Sequence, residues 1–138
     1  MKKQTAAKWL VTLTMGALLA GCATTRTPET IEERVQAKWQ HLVAGEYEAA
    51  YAYYSPGYRS VVTVGSFVSQ MERRTVPWTS ADLKDFGPCE EETCTARVAV
   101  GYRVLPLGVP AAKPFDGVRV VHEEWIFADG GWFFVPKQ

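Results

Sequence analysis

The period of the hydrophobic pattern changes at Pro77, and this change limits the chain to a small set of folds. Before Pro77, apolar residues recur at the three- and four-residue steps of an amphipathic helix; after it, they alternate as in a strand with one solvated face. Helices followed by strands predict an α+β domain, with N-terminal helices packed on an antiparallel sheet. The 138 residues, 47% of them hydrophobic, suffice for one domain with one core.

The first predicted helix has a recognisable beginning, face and end. Thr30 and Glu33 form a capping-box pattern at its start, and Gly45 is suited to end it in the left-handed conformation. Its apolar residues form one stripe, which consists of Ile31, Val35, Trp39 and Leu42. We expect this stripe to face the core.

Two shorter helices are predicted between Gly45 and Pro77. The second runs from Glu46 to Tyr54, and the breakers Ser55, Pro56 and Gly57 are expected to stop it. The third covers about Ser66 to Arg74. The helical part of the domain is therefore predicted to contain three helices.

The strands are predicted from alternation and from turn residues. Thr95–Val104 alternates, Val118–Phe127 forms the next strand, and the Pro- and Gly-containing segment Leu105–Gly117 is a long loop between them. The turn at Asp129, Gly130 and Gly131 leads into a last strand, Trp132–Val135. These strands predict an antiparallel sheet.

The last hairpin predicts which side chains share a face. A turn of two or four residues pairs Phe127 with Trp132 and Trp125 with Phe134, so these four rings lie on one face. The other face carries a second set, mostly apolar, which consists of Val118, Val120, His122, Glu124, Ile126, Phe133 and Val135. One core needs only one apolar face, so we predict that a partner protein, a second copy or another part of the chain covers the second.

The segment that precedes the helices predicts export. A stretch that contains Lys2, Lys3 and Lys8 is followed by the uncharged run Trp9–Ala20, which is shorter than the about 20 residues that a membrane-spanning helix needs. A basic start, a short apolar run and then small residues are typical of a secretory signal peptide. A buried core helix is the alternative, but no polar face marks one.

The end of this segment resembles the lipobox of bacterial lipoproteins. The residues that carry the resemblance are Leu19, Ala20, Gly21 and Cys22. In that family the cysteine receives a diacylglyceryl group, the peptide is cut before it, and acyl chains such as palmitate anchor the new terminus. Two or three acyl chains bind a bilayer firmly. Ala23 stands where lipoproteins of the inner membrane often have Asp, so the resemblance implies the periplasmic face of the outer membrane.

The resemblance divides the chain into three parts. Residues 1–21 are the cleaved signal peptide, residues 22–27 are a lipidated tether, and residues 28–138 are the folded domain. Acylated Cys22 makes the lipid bilayer the first expected partner.

Cys89 and Cys94 are predicted to form a structural disulfide. They flank the four residues Glu90–Thr93, and a hairpin around that loop brings them opposite each other. With Cys22 lipidated, two cysteines remain in an oxidising compartment. A zinc site would need further ligands, and a redox pair would have the spacing Cys-x-x-Cys, so both alternatives are disfavoured.

Three segments of the domain resemble NTF2-like proteins. Glu33–Tyr47 and Ala49–Arg59 are similar to that family's opening helices, and Glu124–Trp132 is similar to its last hairpin. The resemblance spans about residues 28–136. It implies a curved sheet wrapped around helices, with a conical pocket between them. The superfamily includes isomerases, dehydratases, transport factors and domains without known activity, so the resemblance implies the fold more than the function.

His122, Glu124 and Tyr102 are the candidate catalytic residues. His122 and Glu124 share a strand face about 7 Å apart and could form an acid/base pair in a dry pocket, with Tyr102 as a third member. The alternative is that these side chains are solvated or paired with arginines across the sheet.

The sequence is compatible with three functions. The first is a lipid-anchored module that binds a partner protein or a small apolar ligand without catalysis. The second is an isomerase- or dehydratase-type enzyme that uses His122, Glu124 and Tyr102, and the third is a structural accessory subunit of an envelope complex. We predict no cofactor and no metal, and the 15 basic and 15 acidic residues form no basic stripe, so nucleic acid is not an expected partner.

Overall fold

The structure, a computed structural model, describes residues 28–106, 108 and 112–137. The predicted signal peptide over residues 1–21, the tether over residues 22–27 and the cleavage motif with Cys22 lie outside the described residues. Those predictions therefore stay predictions. None of the described helices is both long enough and apolar enough to cross a membrane.

Four helices come first in the described chain: α1 (Ile31–Ala44), α2 (Tyr47–Tyr51), α3 (Pro56–Val61) and α4 (Val64–Glu72). The predicted ends of α1 are confirmed, because Thr30 and Glu33 form a capping box and Gly45 has a φ of 76°. The predicted stripe is also confirmed, with Val35, Trp39 and Leu42 buried.

The prediction of three helices was wrong, because the described chain has a further helix that begins after Ser55. We expected Ser55, Pro56 and Gly57 only to stop the second helix, but the same residues also begin α3. The Ser55 side chain accepts a hydrogen bond from the Tyr58 backbone N–H, and Pro56 occupies the first turn, where its missing N–H costs nothing. The second helix is correspondingly shorter than predicted and ends at Tyr51.

Four antiparallel strands follow: β1 (Trp78–Cys89), β2 (Thr93–Val104), β3 (Phe115–Ala128) and β4 (Gly131–Val135). They pair in sequence order to form one four-stranded sheet. The described chain is therefore an α+β domain with helices before an antiparallel sheet, as predicted.

The predicted register of the last hairpin is confirmed. Trp125 pairs with Phe134 and Phe127 with Trp132. The turn between Ala128 and Gly131 has two residues, Asp129 with a φ of 49° and Gly130 with a φ of 79°. Two successive left-handed residues define the turn that matches the right-handed twist of a hairpin.

The β1–β2 hairpin brings the two cysteines together. Cys89 is the register partner of Cys94, their Cα atoms lie 4.0 Å apart, and their sulfurs are at bonding distance. This arrangement agrees with the predicted pairing of Cys89 with Cys94 at the two ends of the Glu90–Thr93 loop.

One face of the sheet packs on the helices, and we call it the inner face. Its buried side chains include Ala96, Val98 and Val100 of β2 and Trp125 of β3, and these pack with Val35 and Phe67 of the helices. On the opposite, outer face, Val118 is 70% and Val120 is 56% exposed. The prediction that something covers this outer face stays a prediction.

The free edge of β4 is joined to the chain between α2 and α3. The Phe134 backbone N–H donates to the Tyr53 carbonyl, and the Ser55 backbone N–H donates to the Phe134 carbonyl, both at 2.8 Å. Tyr54 thereby forms a bridge to Phe134. These bonds join the helical part of the domain to the sheet.

Candidate binding site

A pocket of about 420 Å³ opens between the helices and the inner face of the sheet. Its walls are mostly aromatic and aliphatic, and they include Trp39, Leu42, Tyr54, Met71, Trp78 and Phe134. Helix α1 contributes the first two residues, and the sheet contributes the last two. Charged and polar side chains also line the pocket, and they are Arg74, Arg119, His122, Glu123 and Lys137.

Glu123 forms a buried ion pair with Lys38. The two residues are 4% and 1% exposed, and the Lys38 Nζ donates a hydrogen bond to the Glu123 Oε1. Glu123 points inward because it lies two residues before the fully buried Trp125 on β3, and side chains two apart share a strand face. Lys38 lies on α1 three residues after Val35, so it belongs to the apolar stripe.

Aromatic rings and an indole donor complete the surroundings of the pair. The Lys38 ammonium lies 3.9 Å from the centroid of the Phe134 ring and 4.6 Å from that of Trp39. The Trp125 Nε1 donates to the other oxygen of Glu123 at 3.3 Å. Burial lowers the pKa of Lys38, and the adjacent Glu123 carboxylate opposes this shift. Lys38 and Glu123 are thus two charges that depend on each other.

Tyr54 stands at the same pocket wall and keeps its proton. Burial is the main cause that raises the pKa of its phenol, and the negative charge of Glu123 raises this pKa further. The phenol is therefore neutral across the physiological pH range and can donate a hydrogen bond.

Two arginines stand at the mouth of the pocket. Arg74 follows the end of α4, and its guanidinium lies 3.7 Å from the centroid of the Trp78 ring. Partial burial lowers the pKa of Arg74, and the charge of Arg119 lowers it further, so the two guanidinium groups repel each other. Neither arginine has a carboxylate partner within 4.0 Å among the described residues.

The structure does not bring the three predicted catalytic residues together. His122 and Glu124 occupy outer-face positions of β3 and are exposed, although His122 also lines the pocket. Tyr102 lies on the inner face and is half-buried. Tyr102 lines a depression of about 280 Å³ that adjoins the pocket and shares Arg74, Trp78 and Arg119 with it. The three candidates therefore do not meet in one place, because successive residues of β3 face opposite sides and Glu123, between His122 and Glu124, is the one that points inward.

Sequence reasoning missed Lys38 and Glu123, although each carried a signal. Lys38 interrupts the apolar stripe of α1 four residues before Leu42, and a lysine in such a stripe needs a buried counter-charge. Glu123 has the same strand parity as Trp125, which the predicted hairpin register placed on one face with Phe134. Within the described residues, no group of three or more His, Cys, Asp or Glu side chains could hold a metal ion.

No family model and no curated protein matches the chain. Among solved structures, a SEC-C motif containing protein from Rhodopseudomonas palustris aligns with a TM-score of 0.57 and 11% identity, over 78% of this chain and 76% of that one. A SEC-C motif containing protein from Psychrobacter arcticus aligns with a TM-score of 0.56 and 10% identity, over 78% of this chain and 59% of that one. These two similarities show a shared fold alone.

A third structure is less similar. It is named a "putative polyketide cyclase" from Xanthomonas campestris pv. campestris, and it aligns with a TM-score of 0.48 and 16% identity, over 75% of this chain and 87% of that one. This similarity is too low to support an argument about fold or activity.

Proposed function

We propose that the chain is an envelope lipoprotein whose NTF2-like domain binds a small, largely apolar ligand without catalysis. The observation that carries the proposal is the open pocket of about 420 Å³ between the helices and the inner face. Helices that precede a four-stranded antiparallel sheet, with a pocket between the two layers, support the NTF2-like assignment.

The pocket has the composition of a ligand site. Small-molecule sites commonly measure about 300–1,000 Å³ and combine apolar walls with a few polar groups that fix orientation. Here Trp39, Trp78 and Phe134 supply aromatic surface, and Glu123, already paired with Lys38, brings no uncompensated charge. A ligand with an apolar body can therefore displace water from this pocket without leaving a buried charge unpaired.

The binding proposal can be tested by filling the pocket. Val121 lines it, while Val120, the next residue of β3, is 56% exposed on the outer face. In the full-length protein in a non-aromatic detergent, the neutral methyl ester of dansylglycine should emit when the pocket tryptophans are excited. We expect Val121→Phe to abolish this signal and the matched variant Val120→Phe to retain it. Equal signals from both variants would contradict the proposal.

The membrane anchor has its own test. Cells grown with an alkyne analogue of palmitate should label the wild-type protein and not the Cys22→Ala variant, because the proposed thiol acceptor is gone. The intact mass of the purified protein should show that residues 1–21 have been removed and that acyl chains are present. A bare thiol at Cys22 with the leading segment still attached would contradict the anchor.

A proton-transfer enzyme is the second candidate function, and one observation favours it. The Glu123 carboxylate lines the pocket and could abstract a proton next to a carbonyl group. Such an enzyme should exchange deuterium from D₂O into small cyclic ketones. We would expect Glu123→Gln to abolish this exchange and Glu124→Gln, on the exposed outer face, to leave it intact. The binding proposal expects no exchange above the rate in buffer.

A further inference from the structure

We propose that the ligand of this pocket is a carboxylic acid, whose carboxylate is held at the mouth by Arg74 and Arg119 while its apolar body fills the pocket. This inference rests on the proposed binding function and names the chemical class of the ligand.

The side chains that line the pocket carry an excess of positive charge. Glu123 is neutralised by Lys38. Arg74, Arg119 and Lys137 also line the pocket, and none of them has an acidic partner within the described residues. The mouth therefore carries positive charge over a low-dielectric interior, which favours a negatively charged ligand.

Three of the five other arginines in the described residues have the carboxylate partner that Arg74 and Arg119 lack. Arg34, Arg97 and Arg103 each pair with a carboxylate, which belongs to Glu29, Asp85 and Asp116 respectively. The pairs of Arg97 and Arg103 are bidentate, as the two hydrogen bonds in each show. An exogenous carboxylate could give Arg74 and Arg119 the same kind of partner.

Aromatic contacts hold the Arg74 guanidinium in place at the mouth. Arg74 lies over the ring of Trp78, and Trp78 in turn packs edge-on against Trp39, with ring centroids 5.2 Å apart. A guanidinium held over a ring keeps its N–H groups at the edge, where they can donate to an oxygen. Arg119 lies on the inner face of β3 in register with Val100.

The two arginines repel each other in the free protein, and an anion between them removes that repulsion. The lowered pKa of Arg74, which Arg119 helps to cause, is the sign of this repulsion. A planar carboxylate can accept two parallel hydrogen bonds from one guanidinium and share its charge with the second. Tyr102, in the adjoining depression, provides one further phenol donor near the same arginines.

A matched pair of probes tests the inference. Dansylglycine and its methyl ester share one apolar body and differ in the carboxylate. The full-length protein should bind dansylglycine at least about tenfold more tightly than the ester, a ratio that corresponds to about 1.4 kcal/mol. This preference should weaken at 1 M salt, where the screening length falls from about 10 Å to about 3 Å.

Three variants test whether Arg74 and Arg119 cause the preference for dansylglycine over its methyl ester. Arg74→Gln and Arg119→Gln should each reduce the ratio of acid to ester affinity to below about threefold, since each removes one charged donor. Arg73→Gln makes the same change of charge at a neighbouring residue that does not line the pocket, and it should keep the full ratio. Affinity for the ester should stay the same in all three, which also confirms that the variants are folded.

Each outcome separates the inference from the function on which it rests. If the ester and the acid bind equally, or if Arg73→Gln acts like the other two variants, the carboxylate proposal is wrong while binding in the pocket stands. If inorganic phosphate displaces the acid at equal concentration, the mouth is a general anion site and the proposal is also wrong. If neither probe binds, the proposed function itself fails.

Discussion

The buried pair of Lys38 and Glu123 leads to a prediction in which stability depends on pH in a defined direction. Glu123→Gln keeps the size of the side chain and an oxygen that can accept from the Trp125 indole, but it removes the negative charge. Lys38, which is 1% exposed, then has no counter-ion. We expect this variant to be strongly destabilised at pH 7 and much less destabilised at pH 10.

The magnitude follows from the proton of Lys38. A buried lysine without a partner can lose its proton, and at pH 7 this costs at most about 5 kcal/mol, counted from a free pKa of 10.5. At pH 10 the same loss costs only about 1 kcal/mol. Breaking a buried pair by removing one partner typically costs about 3–5 kcal/mol, which agrees with the value at pH 7.

The stability of the Glu123→Gln variant should rise with pH. Burial lowers the pKa of Lys38 in the folded protein, and in the variant no carboxylate opposes this shift. Between that lowered value and 10.5, the unfolded chain binds more protons than the folded one, so stability rises with pH. The variant is most stable above pH 10.5, where Lys38 is neutral in both the folded and the unfolded chain. Its stability is lost as the pH falls from 10.5 through the lowered pKa of Lys38 in the folded protein.

Urea denaturation at pH 7 and pH 10, followed by tryptophan fluorescence, measures both effects. The wild type at each pH corrects for other titrating groups, and Glu124→Gln is the matched control at an exposed neighbouring residue. The double variant Lys38→Met/Glu123→Gln should regain at least about 2 kcal/mol, because no buried charge remains. A loss below about 1 kcal/mol at pH 7, or an equal loss at both pH values, would show that the Glu123 charge does not stabilise buried Lys38.

Three further predictions concern the frame that holds the pocket, and each is measured as a change in the free energy of unfolding. Thr30→Ala removes the capping box of α1 and should cost about 1 kcal/mol; no change would mean that the helix start is fixed by other contacts. Phe67→Ala removes a ring that is 1% exposed and packs edge-on against Tyr54, and it should cost about 3–5 kcal/mol, whereas a smaller loss would mean that the site collapses around the change. Replacing both Cys89 and Cys94 by Ser opens a short ring and should cost about 2 kcal/mol, and a reducing agent should then destabilise the wild type but not the variant.

The sequence was most informative where local rules decide the geometry. The two-residue turn at Asp129 and Gly130 fixes the parity of β3 against β4, so the pairing of Trp125 with Phe134 could be predicted without knowledge of the rest of the fold. The α1 boundaries were likewise predictable, because capping residues act within a single turn.

The sequence was less informative where one residue can serve two elements or where distant residues meet. Ser55 ends one helical segment and caps the next, and a pattern of breakers does not distinguish these roles. Lys38 and Glu123 are 85 positions apart, and their contact depends on how α1 lies across the sheet. Strand parity alone could have predicted that Glu123 points inward, but its pairing with Lys38 depends on tertiary packing.

The bonds between Phe134 and the α2–α3 connection restrict how copies of this domain could polymerise. A sheet grows into a fibre through unpaired backbone groups at its borders, and on the β4 side those of Phe134 are already occupied by Tyr53 and Ser55. At the opposite border, β1 pairs with no further strand of the described chain. Its register against β2 shifts at three places, and such irregular strands are poor templates for a docking strand. Many copies of this domain could therefore stay at high concentration without strand-by-strand aggregation.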